Sequence, residues 1–270
     1  MSPTAIPGNL NLQSPTASKL ILVNDQRNPP GDAQITYGIT SAGGTFTLRS
    51  TGTVDYEVEW GDGTVERSTS NVLAHTYAAG NYVLKVRTSQ LYRPYFHNST
   101  DEDQITSVAL VSDLDVGTTL GDAWFGANNM TTFDAAFGVT TGVTGFFRAW
   151  RDCSSLTSFP LIDTSSGTNF QSAWQSCTSL TSFPANFFDS WTGTPANNCF
   201  ESTWLNCSSL TATSVENILN SIDTSGQSAP ASGVNITINY DTNTGTPNIS
   251  TAVSNLKGRG WTITLNGVLQ

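Results

Sequence analysis

Side chains that could carry chemistry are sparse in this 270-residue chain and form no recognisable motif. The two histidines are His75, in a His-Thr-Tyr sequence, and His97, which ends an aromatic run. Neither lies near a Gly-x-Ser-x-Gly nucleophile sequence, and the chain contains no Cys-x-x-Cys and no phosphate-loop pattern. The acidic residues 101–103 lack the alternating oxygen ligands and terminal glutamate of a calcium loop. We therefore expect no enzyme activity, no metal site and no cofactor, although two distant carboxylates can still meet in space.

Four cysteines, Cys153, Cys177, Cys199 and Cys207, lie in the second half of the chain. A disulfide framework is one interpretation, typical of small secreted domains. Three of the four recur at the same place in a repeat described below, which favours buried free thiols acting as small apolar side chains. We expect Cys153, Cys177 and Cys207 to be reduced and buried, and the pattern assigns no state to Cys199.

The charge balance restricts the possible partners. With 21 acidic and 11 basic side chains, the formal net charge is −10. Nucleic acid is disfavoured because its binding depends on Lys and Arg, and an anionic bilayer repels the same negative charge. No apolar stretch reaches the roughly 18 residues of a membrane span, and residues 1–8 do not resemble a secretory signal peptide. We expect a protein or glycan partner, not nucleic acid or a membrane.

Residues 1–32 predict an extended arm. They are rich in Pro, Asn, Ser and Gly, and one apolar run interrupts them, formed by Leu20, Ile21, Leu22 and Val23. An isolated strand gains most by adding to the edge of another sheet, because its backbone N–H and C=O groups are otherwise unpaired. The run is therefore our candidate anchor to a partner subunit, and a disordered tail is the alternative.

Residues 33–90 predict an antiparallel sheet. Apolar and polar residues alternate over residues 45–48, 54–60 and 82–86, which indicates strands with one buried and one wet face. By this period, Asp55, Glu57 and Glu59 share one face, as a solvated surface or a weak cation site.

A turn motif within residues 33–90 resembles that of a known domain family. Trp-Gly-Asp-Gly-Thr at residues 60–64 is followed by His-Thr-Tyr and by Gly-Asn-Tyr, in an order that resembles a PKD-type domain, an immunoglobulin-like β-sandwich common on cell-surface and virion proteins. The resemblance implies that the motif residues are structural, with Asp62 and His75 bracing turns and strands. These residues are Trp60, Gly61, Asp62, Gly63, Thr64, His75, Tyr77 and Tyr82.

The second half of the chain repeats itself. Trp124, Trp150, Trp174 and Trp204 recur at intervals of 26, 24 and 30 residues, each within a similar sequence. Such a period predicts stacked units. Apolar residues spaced i, i+3, i+4 and i+7 over residues 146–153 predict a short helix, and residues 156–159 predict a short strand. Stacking of the units should therefore place the helices on one face and a parallel ladder of strands on the other. Residues 105–108 match the strand and predict a degenerate first coil.

These repeats resemble BspA-like leucine-rich repeats, with Trp in place of the more usual Phe. The resemblance covers roughly residues 103–213 and implies a solenoid with adhesive or display roles; the predicted solenoid domain is 91–213, which includes a linker at 91–102. Aromatic residues in the linker, Tyr92, Tyr95 and Phe96, are expected to join the two parts. The repeat core comprises Trp124, Phe146, Trp150, Cys153, Leu156, Phe170, Trp174, Cys177, Leu180, Phe200, Trp204, Cys207 and Leu210.

Residues 214–270 predict an α/β cap that closes the stack. A capping box at residues 213–216 and a Thr-Pro pair at 246–247 predict two helix starts, and residues 234–238 and 261–265 alternate as strands. The expected fold is mainly β with short helices, namely an immunoglobulin-like β-sandwich followed by a leucine-rich-repeat solenoid with an α/β C-terminal cap.

The combined resemblance is to virion proteins of marine phages. It implies a non-enzymatic structural protein on the particle surface, as capsid decoration or a tail-fibre component, that is adhesive toward the host. The expected partners are other virion proteins through the arm, and a host surface protein or glycan; a homo-oligomer stays open. A bacterial cell-surface adhesin and an accessory carbohydrate-binding module are the alternatives.

Overall fold

The computed structural model describes residues 34–52, 55–97, 99–111, 114–231 and 235–270. Within these ranges the protein is mainly β with short helices, which confirms the predicted class. The strands are β1 (Gln34–Thr51), β2 (Tyr56–Glu59), β3 (Val65–Ser68), β4 (Val72–Thr88), β5 (Arg93–Pro94), β6 (Ile105–Leu110), β7 (Thr132–Ala135), β8 (Asn235–Ile238), β9 (Thr262–Leu265) and β10 (Val268–Leu269). The helices are α1 (Ala212–Thr224) and α2 (Ser250–Gly258).

One hydrogen-bonded sheet runs from the first strands into the repeats. Its order is β3-β2-β4-β1-β6-β7, with β5 paired to β1. Strands β1 and β4 are antiparallel along almost their whole length, and β6 adds to the other edge of β1. The pairing of β6 with β7 is parallel and belongs to the repeats. The predicted boundary at residue 90 therefore falls inside a continuous sheet.

Strand β1 bends so that its two halves face each other across Phe96. The bend contains Gly43 and Gly44, whose positive φ angles of 95° and 149° favour glycine. The Phe96 ring lies 5.7 Å from the ring of Tyr37 in the first half and 6.1 Å from that of Phe46 in the second. Tyr92 is also buried and contacts Tyr56. Tyr92 and Phe96 thus fill the interior of the folded sheet, whereas Tyr95 is only half-buried.

The prediction of a short helix in each repeat is wrong. In the unit that begins at Phe146, two tight turns follow each other, closed by hydrogen bonds from Ala149 N to Phe146 O and from Cys153 N to Trp150 O. The third residue of each turn, Arg148 or Asp152, has a positive φ of 52° or 62°, as in a type II turn. Equivalent left-handed residues occur in the other units, at Asp122, Gly126, Ser172, Ser176, Ser202 and Asn206.

The physical reason is a competition for backbone N–H groups. In a helix each N–H bonds within its own segment. Here every second backbone N–H donates instead to a carbonyl of the following unit, with N···O distances of 2.8 to 2.9 Å. The donors are Phe146, Arg148, Trp150 and Asp152. The first and fourth residues of two successive four-residue turns fall at i, i+3, i+4 and i+7, which is also the apolar spacing of a helix. The apolar pattern therefore could not distinguish a pair of tight turns from a short helix.

Stacked aromatic rings form the interior of the repeats. The rings of Trp124, Trp150, Trp174 and Trp204 follow one another with centroid distances of 5.7, 5.3 and 5.9 Å, at interplanar angles of 20° or less. On the opposite side of the unit, the predicted strand at residues 156–159 forms one isolated bridge, from Ser158 to Ser182. Phe159 N donates to Ser182 O at 3.3 Å beside this bridge, and the pairing extends no further into a strand.

Both C-terminal helices begin at other residues than predicted. Helix α1 has Thr211 as its N-cap, whose hydroxyl accepts from Ser214 N, and the capping box at residues 213–216 does not form. The Glu216 carboxylate instead accepts a hydrogen bond from Asn248 N at 2.6 Å. Helix α2 has Ile249 as its N-cap and starts at Ser250.

A three-stranded sheet closes the stack. Strands β8 and β9 are parallel, and a bridge from Trp204 to Ile238 joins β8 to the last repeat. The two-residue turn Asn266-Gly267, with positive φ at both residues, returns the chain as β10. Asn-Gly is a strong signal for such a hairpin, and the sequence prediction overlooked it by ending at residue 265.

The close approach of two repeat backbones yields a stability prediction. A Cβ added at Gly193 would lie 2.0 Å from the carbonyl oxygen of Gly167, whereas one added at Gly138 would meet no atom within 4 Å. We expect Gly193→Ala to lower the free energy of unfolding by about 1–3 kcal/mol, because backbone atoms have to move. Gly138→Ala is the matched control, expected to stay within about 0.5 kcal/mol.

Urea unfolding measures the stability of both variants. The transition midpoints are compared between variants whose free energy of unfolding has the same dependence on urea concentration. Equal midpoints for Gly193→Ala and Gly138→Ala would contradict the observed packing of these two coils.

Candidate functional site

The turn motif at residues 60–64 forms a compact polar cluster. The Asp62 carboxylate accepts hydrogen bonds from the backbone N–H and hydroxyl of Thr64 at 2.9 and 2.6 Å, and it contacts His75 Nε2 at 2.7 Å. The His75 ring stacks on Trp60 with centroids 4.6 Å apart. The Tyr77 hydroxyl donates to Trp60 O at 2.8 Å. These contacts connect the turn to β4.

The remaining motif residues surround this cluster. The Tyr82 ring lies 4.3 Å from that of Tyr77, and Gly61 passes so close to Val83 that an added Cβ would be 2.5 Å from its carbonyl oxygen. Gly63 has a positive φ of 93°. Partial burial raises the pKa of Asp62, but hydrogen bonds from Thr64 and the contact with His75 outweigh it, so the pKa falls to about 2.

The acidic face of β2 is balanced by arginines. Arg67 approaches both carboxylate oxygens of Asp55, at 2.9 and 2.8 Å. Arg87 lies 2.5 Å from Glu59 and 3.9 Å from Glu57. Among the residues described, no group of three or more His, Cys, Asp or Glu side chains is placed to hold a metal ion. These guanidinium groups already supply the positive charge that a cation would bring.

The cysteines lie in the interior. All four are buried and free, including Cys199. The thiols of Cys153, Cys177 and Cys207 donate to the carbonyls of Trp124, Trp150 and Trp174, at S···O distances of 3.3, 3.1 and 2.9 Å. Burial raises the pKa of each thiol, to about 12 for Cys207, where the contact with Cys177 partly offsets it. Neutral thiols at these positions are poor nucleophiles.

The other repeat-core residues are also brought together. All of them are fully buried, with stacked rings or aliphatic side chains facing the interior: Trp124, Phe146, Trp150, Leu156, Phe170, Trp174, Leu180, Phe200, Trp204 and Leu210. The proposed partner anchor, Leu20, Ile21, Leu22 and Val23, lies outside the described residues.

The outward side of the turns carries a groove that sequence reasoning missed. It has a volume of about 450 Å³ and is lined by Phe147, Arg148, Arg151, Asn169, Gln171 and Ser172. We call it the turn-face groove. The Phe147 ring covers the backbone of Gly121, where an added Cβ would be 2.2 Å from the ring. Arg148 donates a hydrogen bond from Nη2 to Asp122 Oδ2 at 3.0 Å, and its Nε lies 2.9 Å from Oδ1 in an ion pair.

A signal for this groove existed in the repeats. The residues between the apolar stripe positions change from unit to unit, from Phe125 to Arg151 to Gln175 at one equivalent position. Because the inward residues repeat and the outward ones differ, the chemistry that distinguishes one unit from the next lies on the outward side of the turns. The helical interpretation placed these residues around a cylinder and obscured their alignment.

The link between Asp62 and His75 predicts a pH dependence. Because the folded-state pKa of Asp62 is about 2, below its ordinary value of 3.8, the stability this carboxylate contributes is complete above pH 4 and lost as the pH falls toward 2. We expect the Tm difference between the wild type and Asp62→Asn to shrink over this interval.

Asp62→Asn is the appropriate variant because it keeps an oxygen acceptor for Thr64 and removes the titrating charge. Thermal unfolding between pH 5 and pH 2 measures the difference. A Tm difference that stays constant over this range would contradict the role assigned to Asp62.

Because the thiols are buried, we expect them to react slowly with thiol reagents. In the native protein, we expect Cys153, Cys177 and Cys207 to stay unmodified by a thiol reagent until denaturant is added, because they are buried and neutral. Ser182→Cys, at an exposed position of the same units, is the control that should react at once. Rapid modification of all three, or a native disulfide between Cys153 and Cys177, would refute the interior placement.

None of the described helices is long and apolar enough to cross a membrane. Comparison of the chain with protein-family models, curated proteins and solved structures gave no match. Its function is therefore inferred from its motifs and from the geometry above.

Proposed function

We propose that the chain is a non-enzymatic structural protein of a phage virion, displayed on the particle surface as capsid decoration or as part of a tail fibre. The finer fold belongs to the same proposal: residues 33–90 form a PKD-like, immunoglobulin-like sandwich, residues 91–213 a BspA-like leucine-rich-repeat solenoid, and residues 214–270 its cap. The sequence motifs support both resemblances. The folding of β1 around Phe96 supports two facing layers.

The continuous hydrogen bonding from the first sheet to the last strand carries this proposal. Strands β1 and β6 pair directly, the repeat units donate N–H groups to one another, and Trp204 bridges to β8. Stacked units of this kind contact mainly their neighbours and form an elongated body. A stiff body with covered ends suits a part that has to hold a surface away from a particle.

The composition also supports display of the protein on a particle surface. Few charged side chains and a net charge of −10 keep copies apart and disfavour binding to nucleic acid inside the particle. In this proposal the arm at residues 1–32 attaches the protein to other virion proteins, with residues 20–23 as an added strand, while the repeats project outward toward a host surface protein or glycan.

Deletion of residues 2–30 tests the attachment. We expect the shortened protein to keep the Tm of the full chain and to be lost from assembled particles, because residues 34–270 contain a buried core of their own. Gold-labelled antibody against the repeats, viewed on purified particles by electron microscopy, measures incorporation. Deletion of residues 2–17, which retains the apolar run, is the matched control and should incorporate.

Full incorporation of the longer deletion would place the anchor elsewhere, with the acidic face of β2 as the next candidate. Antibody labelling of bacterial envelopes, and not of particles, would refute the virion proposal and favour a cell-surface adhesin.

A further inference from the structure

We propose that the turn-face groove binds a neutral saccharide. This inference deepens the adhesive part of the proposed function by assigning it a site and a ligand class. It depends on the shape, the hydrogen-bonding groups and the charge of the groove, taken in turn.

The groove has an aromatic floor held in place by packing. Because Phe147 covers the backbone of Gly121, a side chain at that glycine would displace the ring. The Arg148 guanidinium lies 5.6 Å from the Phe147 ring centroid, and that of Arg151 lies 5.3 Å from the ring of Phe125. Phe147 is only partly buried, so part of its ring borders the groove. The apolar C–H face of a sugar ring matches such a surface.

The two arginines are pre-organised donors. Arg148 donates from Nη2 to Asp122, whose side chain is only 7% exposed, and its Nε forms an ion-pair contact with the same carboxylate, so Nη1 is left for a ligand. The Arg151 guanidinium is held over the Phe125 ring, and its Nε atom lies 3.3 Å from Asp152 without a hydrogen bond between them. Side chains already held in place lose less entropy when a ligand binds.

Amide groups complete the set with both donors and acceptors. Asn169 accepts a hydrogen bond from Gln171 N through Oδ1, and Gln171 donates through Nε2 to Glu201 at 2.9 Å. These bonds fix the amide orientations and leave the Nδ2 of Asn169 and the Oε1 of Gln171 for other partners. A sugar hydroxyl is both donor and acceptor, and therefore matches a mixed set of this kind.

The charge of the groove favours a neutral ligand over an anion. Each arginine is paired with an aspartate, and Glu201 adds a further negative charge at the rim. The net charge of the whole chain is −10, which repels phosphate and acidic sugars at long range. A groove rich in hydrogen-bonding groups but without net positive charge suits hydroxyl groups better than a phosphate.

Calorimetric titration of the full chain tests the proposal with named probes. These are cellopentaose, maltopentaose and mannopentaose as neutral ligands, tetragalacturonate as an acidic sugar, and inorganic phosphate as a simple anion. We expect at least one neutral pentasaccharide to bind with a Kd of about 1 mM or tighter, and the two anions to bind more weakly.

Two variants and a control locate the site. Arg151→Gln should weaken binding of that pentasaccharide at least tenfold, and Gly121→Ala should weaken it by displacing Phe147. Arg87→Gln changes an arginine on the sheet and should leave the Kd within twofold. Each variant is first shown to keep its circular-dichroism spectrum and Tm within a few degrees.

Three results would overturn the inference: no neutral pentasaccharide binds, a bound one is unaffected by Arg151→Gln, or an anion binds more tightly. None of them changes the incorporation of the chain into particles, so failure of this inference is distinct from failure of the proposed function.

Discussion

The donation of every second backbone N–H group to the next unit is the interaction on which the repeat region depends. Phe146, Arg148, Trp150 and Asp152 donate to the following unit, while the intervening N–H groups of Ala149, Arg151 and Cys153 close the tight turns. Buried backbone groups have to be paired, and this division pairs both sets. Its cost is a left-handed residue at every fourth position of the turns. Its consequence is that no unit is complete without its neighbour, so both ends of the stack require a different structure to cover them.

The same alignment determines what the interior can contain. Units held in register place identical side chains above one another, which produces columns of Trp, Phe and Cys rather than a mixed core. Stacked rings bury large apolar areas. In exchange, the indole N–H groups of Trp150, Trp174 and Trp204 have no hydrogen-bond partner in the described part of the chain. Each unpaired donor costs about 1–3 kcal/mol, which the aromatic burial has to offset.

Much of the architecture was predictable because repetition and alternation are visible in single residues. The recurrence of Trp150 and Trp174 predicted stacked units, and alternation over residues 82–86 predicted a strand that lies within β4. The turns were not predictable from the apolar stripe, since a helix and paired turns share nearly the same spacing. Gly126, Asp152 and Asn206 at one equivalent position, and Asp122 in the preceding turn, carried the missing signal, because Asn, Asp and Gly tolerate positive φ. Ser and Arg at the other left-handed positions concealed it. The groove was missed for the same reason, as its residues align only when the units are turns.

The division between interior and outward residues explains how such a fold can acquire a recognition function without losing stability. Inward positions repeat because each must fit the column above and below it, so changes there disturb two neighbouring units at once. Outward positions such as Phe125, Arg151 and Gln175 occupy the same place in successive units, and their side chains differ. The backbone hydrogen bonds that connect the units do not involve these side chains. A row of positions at fixed spacing can therefore change its chemistry freely, and the groove beside Phe147 is where aromatic, guanidinium and amide groups come together on that row.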